Sequence, residues 1–148
     1  MAAIGFYHLT HTGLADALPR LLERTLAAEQ RAVVLCPSAA ALEALDKALW
    51  DTAEPDWLPH GTPDDGDADL QPIWLTTDDA APNGARFLFL VDGASSAKVD
   101  SFDRVFDLFD GNDAEAVAAA RRRWKLARDA GHELTYWQQG PRGWVKKA

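Results

Sequence analysis

The stretch Arg31-Ala32-Val33-Val34-Leu35-Cys36-Pro37-Ser38 decides the fold class. Its apolar run from Ala32 to Cys36 is short and nearly continuous, which suits a strand covered on both faces. Pro37 ends the run, and Ser38 is a strong helix N-cap. Ala41, Leu42, Leu45, Ala48 and Leu49 then recur at helical spacing, which predicts a helix ending near Trp50. Upstream, residues 4–9 read as a strand, with β-friendly bulk from Phe6, Tyr7 and His8. Between the two strands Leu14, Leu18, Leu21, Leu22 and Leu26 form a helical stripe. Pro19 interrupts that stripe, so the helix either begins near Pro19 or kinks there.

Alternation continues downstream. Residues 51–71 carry Pro55, Pro59, Pro63, Gly61, Gly66 and many aspartates, and read as a loop that is mobile over 64–69. Ile73-Trp74-Leu75 predicts a third strand and residues 87–91 a fourth, buried one, with a turn-rich connection over 78–84 between them. Residues 104–108 suit a fifth strand or a helix. Asp113 is placed to cap a last helix over 114–130, with Glu115 near its positive end and Gly131 as its stop. Residues 133–138 then suit a final strand, and Gly140-Pro141-Arg142-Gly143 a turn before Trp144. Strands alternating with helices predict βαβ units and a largely parallel sheet. The expected fold is therefore a single α/β domain over 1–148, a Rossmann-like three-layer sandwich.

Bulk properties narrow the function. A chain of 148 residues with 47% hydrophobic and 26% charged residues can bury one core, as a soluble globular protein does. Its 23 acidic and 15 basic residues give a net charge of -8, which handicaps direct nucleic-acid binding except through a local basic patch. Cys36 is the only cysteine, so no internal disulfide forms, in keeping with a reducing cytoplasm. The start lacks the features of a signal peptide, and no apolar run approaches the roughly 20 residues that span a bilayer.

The expected motifs of enzymes are missing. No Gly-rich phosphate loop follows the first strand: neither G-x-G-x-x-G nor G-x-x-x-x-G-K-[ST] occurs. No Ser sits in a G-x-S-x-G elbow. His8, His11, His60 and His132 read as solvent-exposed turn residues, since a single cysteine and no second clustered pair leave a zinc site unsupported. Asp64, Asp65, Asp67 and Asp69 loosely imitate a calcium loop but lack its closing bidentate Glu. Cys36 reads as a buried, inert thiol. No catalytic residue, metal or cofactor is therefore assigned. An α/β hydrolase or nucleotide-using transferase stays open as an alternative, because fold alone does not exclude one. So does a generic module for acidic peptides.

One segment stands out. Arg121-Arg122-Arg123-Trp124-Lys125 is the densest basic cluster of this acidic chain, and it lies on the predicted last helix. Val117, Arg121, Trp124, Lys125 and Arg128 share one helical face. Ala116, Ala119, Ala120, Arg123, Leu126, Ala127 and Ala130 form the stripe expected to pack on the sheet, with the Arg123 head reaching solvent. Cations beside an exposed indole suit an acidic peptide, because arginine holds carboxylates bidentately; a merely solvated helix face is the plainer account. A second feature is a pair of tryptophans, Trp50 and Trp57, flanking a short loop. Core packing accounts for them most simply, and an aromatic-lined pocket is the sharper account.

Taken in order, Phe6-Tyr7-His8-Leu9, Leu45-Asp46-Lys47-Ala48-Leu49-Trp50, Trp57-Leu58-Pro59-His60-Gly61, Gln71-Pro72-Ile73-Trp74-Leu75, Phe106-Asp107-Leu108-Phe109-Asp110-Gly111, Arg123-Trp124-Lys125 and the run from Gly131 to Gln139 resemble the chi subunit of DNA polymerase III nearly end to end. The resemblance implies a Rossmann-like accessory subunit of the clamp-loader assembly. Such a subunit links the replicase to single-stranded DNA-binding protein by holding its acidic C-terminal tail. It implies a psi subunit as a further partner, contact with DNA mainly through others, and no catalysis of its own. It also implies a tail pocket built from Arg121, Trp124, Lys125, Arg128 and Trp50, with Trp57 as an aromatic neighbour. One basic position of the family, a turn before Arg121, is Val117 here, which weakens the electrostatic part or shifts it to Arg122 or Arg128.

Overall fold

The computed structural model describes residues 2–51 and 58–148. Seven strands form one sheet in the order β3-β2-β4-β5-β1-β6-β7. They are β1 (Ala3–Leu9), β2 (Ala32–Leu35), β3 (Ile73–Thr76), β4 (Phe87–Val91), β5 (Arg104–Asp110), β6 (Glu133–Gly140) and β7 (Gly143–Lys146). All neighbours run parallel except β6 and β7, which form an antiparallel hairpin. Three α-helices cover the sheet: α1 (Leu14–Ala27), α2 (Ala39–Asp51) and α3 (Ala114–Asp129). The three-layer α/β sandwich expected from the sequence is the observed one.

Strand periodicity sorts the core into two layers. Tyr7, Val34, Ile73, Leu75, Phe89, Phe106 and Leu108 point to the side covered by α1 and α2, where Leu18, Leu22, Leu45 and Leu49 meet them. Ile4, Phe6, Val33, Leu35, Leu88, Val105 and Phe109 point to the other side, which Ala120, Val117, Trp124 and Ala127 of α3 cover. In the first layer Phe89 and Phe106 stack with centroids 4.3 Å apart, and Tyr7 lies 5.5 Å from Phe106.

Local chemistry explains the helix ends. The Ser38 hydroxyl accepts from the Ala41 amide at 3.1 Å, so α2 starts where its cap predicts. Asp113 Oδ1 accepts from the Glu115 and Ala116 amides, satisfying two orphan donors of α3. At the other end Gly131 adopts φ +83. The Gly131 amide donates to the Arg128 carbonyl and the His132 amide to that of Ala127, a Schellman closure.

The structure refines the reading in four places. Helix α1 begins at Leu14 and runs through Pro19, which is buried inside it. Packing of the leucine stripe outweighs the one hydrogen bond that proline forfeits. The segment around 104–108 is strand, the central one of the sheet, between β4 and β1. Strand β7 was not expected beyond the turn at 140–143; with only four residues it carries little periodic signal and exists by pairing with β6. The stretch 64–69 is irregular, but Asp65 Oδ2 ties it down by accepting from the Thr62 amide and hydroxyl.

The histidines also differ from the exposed turn residues expected. His11 alone of the four is exposed. His60 is buried and sits between the Leu58 carbonyl and Asp46 Oδ1. His8 Nδ1 lies 2.6 Å from the Tyr136 hydroxyl, and His132 Nδ1 accepts from the Ala2 amide. Each ring meets a polar partner that burial requires. Cys36 is buried, and desolvation followed by the nearby Asp92 charge pushes its thiol up to about 12.

Candidate protein-docking face

Helix α3 is clamped to the sheet at two points. The first is an ion pair. Asp107 lies on the α3 side of β5, between Val105 and Phe109, with only 4% of its side chain exposed. Both its oxygens accept from Arg123, Oδ2 from Nε at 2.7 Å and Oδ1 from an Nη at 2.9 Å. Burial pushes the Asp107 carboxyl above its usual range, against the opposing pull of Arg123. The second is Trp124, half-buried, with its ring edge-on to Phe6 at 5.3 Å and to Tyr136 at 5.8 Å.

These clamps revise the two faces read from the sequence. The inward stripe is Val117, Ala120, Arg123, Trp124 and Ala127. Leu126, expected inside, is 71% exposed. Trp124, expected as an open indole, is the wedge at the rim, and the Arg123 head pairs with Asp107 instead of reaching solvent. A charge inside the sheet attracts the one stripe residue that can neutralise it, and this rotates α3 away from a purely apolar seating. A signal for the pair exists in the sequence: a lone carboxylate within Val105-Phe106-Asp107-Leu108-Phe109, and Arg123 as the one charged residue of the alanine-rich helical stripe.

With that rotation set, Arg121, Lys125 and Arg128 are all exposed, and they follow one another at helical spacing beside Trp124. Arg121 comes close enough to Tyr136 to draw its phenol down, although burial dominates and leaves that phenol raised. Arg128 lies 3.8 Å from Asp129, both exposed, a pair that solvent screens. Val117 stands at the inner edge of the row, where it adds apolar surface and no charge.

Trp50 does not join this face. It ends α2, whose Leu45 and Leu49 pack in the layer opposite α3. Its ring is 58% exposed and lies against His60 with centroids 4.5 Å apart. The sheet therefore separates Trp50 from Trp124. A continuous pocket joining them, as the resemblance implied, is not formed. Trp57 lies outside the described residues.

The site that an open α/β sheet offers to nucleotides is a crevice at the carboxyl ends of its strands. Here that crevice, between β1 and β5, is lined by Asp16, Asp92 and Asp110 together with Asn112. Gly13 precedes α1 there without a Gly-rich loop. Carboxylates at that place repel phosphate. Among the described residues no three His, Cys, Asp or Glu side chains converge as a metal site.

Comparison with known proteins bears on the same segments. The family model for "DNA polymerase III chi subunit, HolC" matches residues 1–135. The chain belongs to the DNA polymerase III chi subunit family. A curated relative, the probable DNA polymerase III subunit chi of Rickettsia prowazekii, is 28% identical over 99 residues, 67% of this chain. The matched part spans about 60% of that relative's length. Among solved structures, T4 UvsW superposes over 93% of this chain and 41% of its own with a TM-score of 0.60 at 10% identity, a likeness of fold alone. The family takes its name from a subunit of DNA polymerase III. No helix among its described residues is long and apolar enough to cross a membrane. The match to the chi family ends before the β6–β7 hairpin is complete.

Proposed function

We propose that this chi-family chain is a non-catalytic, cytoplasmic adaptor whose α3 face holds the acidic C-terminal tail of single-stranded DNA-binding protein. In this role it links that protein to the clamp loader and a psi subunit, and meets DNA mainly through them. The observation that carries the reading is the exposed row Arg121, Lys125 and Arg128 beside Trp124 in a chain of net charge -8. Guanidinium groups suit carboxylates as bidentate partners. The rim of Trp124 with Val117 offers the apolar surface that a terminal aromatic side chain needs, worth about 1.5–3 kcal/mol gross. Ordering the tail offsets part of this, so a micromolar affinity, on the order of -8 kcal/mol, is expected. Trp50 stands outside this site, on the other side of the sheet.

Titration with an acidic peptide ending in phenylalanine tests it. Binding weakens with added salt, falls at least about tenfold in Arg121→Ala, and is unchanged in Trp50→Ala. Absence of binding at low salt rejects the proposal. So does equal loss in Trp50→Ala and Arg121→Ala, because one tail then has to reach both sides of the sheet.

A further inference from the structure

A cleft of about 720 Å³ opens between α1 and the β6–β7 hairpin, away from the α3 face. We infer that it binds a nucleoside phosphate, either free or as one residue of a single strand. Its volume falls in the range of small-molecule sites. Arg20 and Arg24 line it from successive turns of α1, Arg142 from the hairpin turn, and Trp144 from β7. Arg24 and Arg142 have no carboxylate partner among the described residues. Guanidinium groups facing one cavity match a phosphate's oxygens. Trp144 is half-buried, its edge held against Tyr7 at 5.0 Å, so a fixed indole borders the cavity and suits contact with a base.

The cleft is braced. Gln139 Oε1 accepts from the Thr10, His11 and Thr12 amides at 3.2, 2.9 and 2.9 Å, and its Nε2 donates to the Thr12 hydroxyl at 2.6 Å. One amide thus fixes the turn after β1 to the strand that carries the hairpin. Gly143, at φ +126, lets the chain reverse so that Arg142 and Trp144 border the same space.

Charge distribution selects the ligand class. Asp16 also lines the cleft, one helical turn before Arg20. An acidic peptide carries carboxylates along its length and meets repulsion there. A nucleotide has its charge at one end and hydrogen-bond donors on sugar and base at the other. A cleft that holds Arg24 and Arg142 with Asp16 as the carboxylate in its lining fits that polarity.

The test uses the full chain at low salt, with the Trp144 indole and the Thr12 and Gly143 amides followed by NMR. The probes are dAMP, a 5′-phosphorylated oligothymidine, the same oligomer without its phosphate, and an acidic phenylalanine-ending peptide. Saturable shifts at those three positions are expected with dAMP below about 5 mM and with the phosphorylated oligomer. Arg142→Ala is expected to weaken them at least about tenfold. Arg121→Ala, on α3, is expected to leave them unchanged. A response to the oligomer only places the source in the strand; a response to dAMP alone makes it the free molecule. No shift at these positions, equal binding without the phosphate, or a peptide that produces the same shifts would overturn the inference. Failure here leaves peptide binding at α3 untouched, because the two tests use different variants and report on different residues.

Discussion

Removing Arg123 tests whether the buried ion pair sets the seating of α3. In Arg123→Ala the Asp107 carboxylate, 4% exposed, loses both of its guanidinium hydrogen bonds. Breaking a buried pair by deleting one partner costs about 3–5 kcal/mol, because a charge stays in the interior uncompensated. The loss depends on pH in a fixed direction. Burial already raises the Asp107 pKa, and Arg123 opposes that rise. Without Arg123 the folded-state pKa climbs further. A carboxyl whose folded pKa exceeds its unfolded value favours folding below the unfolded value and loses that contribution as pH rises through the folded one. The destabilisation is therefore full at pH 8 and smaller by at least about 1 kcal/mol at pH 5, since each pKa unit is worth about 1.4 kcal/mol. Urea titration at the two pH values reads both quantities. With a slope of about 1–3 kcal/mol/M the midpoint at pH 8 falls by about 1 M or more. Asp107→Leu combined with Arg123→Met removes both charges and is expected to recover most of the loss. A loss below about 1 kcal/mol, an equal loss at both pH values, or a double variant no better than Arg123→Ala refutes the argument.

Three further outcomes follow from the described contacts. Ser38→Ala and Asp113→Ala each remove a side-chain cap, costing about 1 kcal/mol apiece in thermal or urea unfolding; the double variant loses the sum within about 0.5 kcal/mol, because the caps share no partner. The Cys36 thiol, raised to about 12 and buried, reacts with a disulfide reagent at pH 8 only as fast as the chain opens; rapid stoichiometric labelling of folded protein contradicts this. Gly111→Ala sets a methyl group against the His8 ring and within 2.5 Å of the Leu9 carbonyl oxygen, so it destabilises the fold by about 1–3 kcal/mol, read from the unfolding midpoint.

Much of the fold was legible because its signals are local. The continuous run Ala32 to Cys36, the Ser38 and Asp113 caps and the Gly131 stop are each settled within a few residues, and all appear where expected. Pro19 left the start of α1 undecided because its propensity penalty is local while the leucine packing that carries the helix through it is tertiary. Strand β7 escaped notice because four residues, two of them exposed lysine and valine, make sense only against β6. The basic cluster of α3 was visible, yet its orientation was not. Helical periodicity alone favoured the alanines with Leu126 as the inward stripe. Asp107, sixteen residues away on β5, draws the Arg123 head inward to pair with it, and the helix seats Trp124 against the sheet while Leu126 goes out. The nearness of Trp50 to Trp124 was implied by the family resemblance alone, and no local signal in either helix bears on it; α2 and α3 pack in opposite layers.

That separation has a mechanical meaning under the docking proposed for α3. A cargo gripped through α3 and another resting on the Trp50 side have a sheet between them, so neither has to leave for the other to arrive. A small rigid washer of this kind can keep one grip while the other is exchanged.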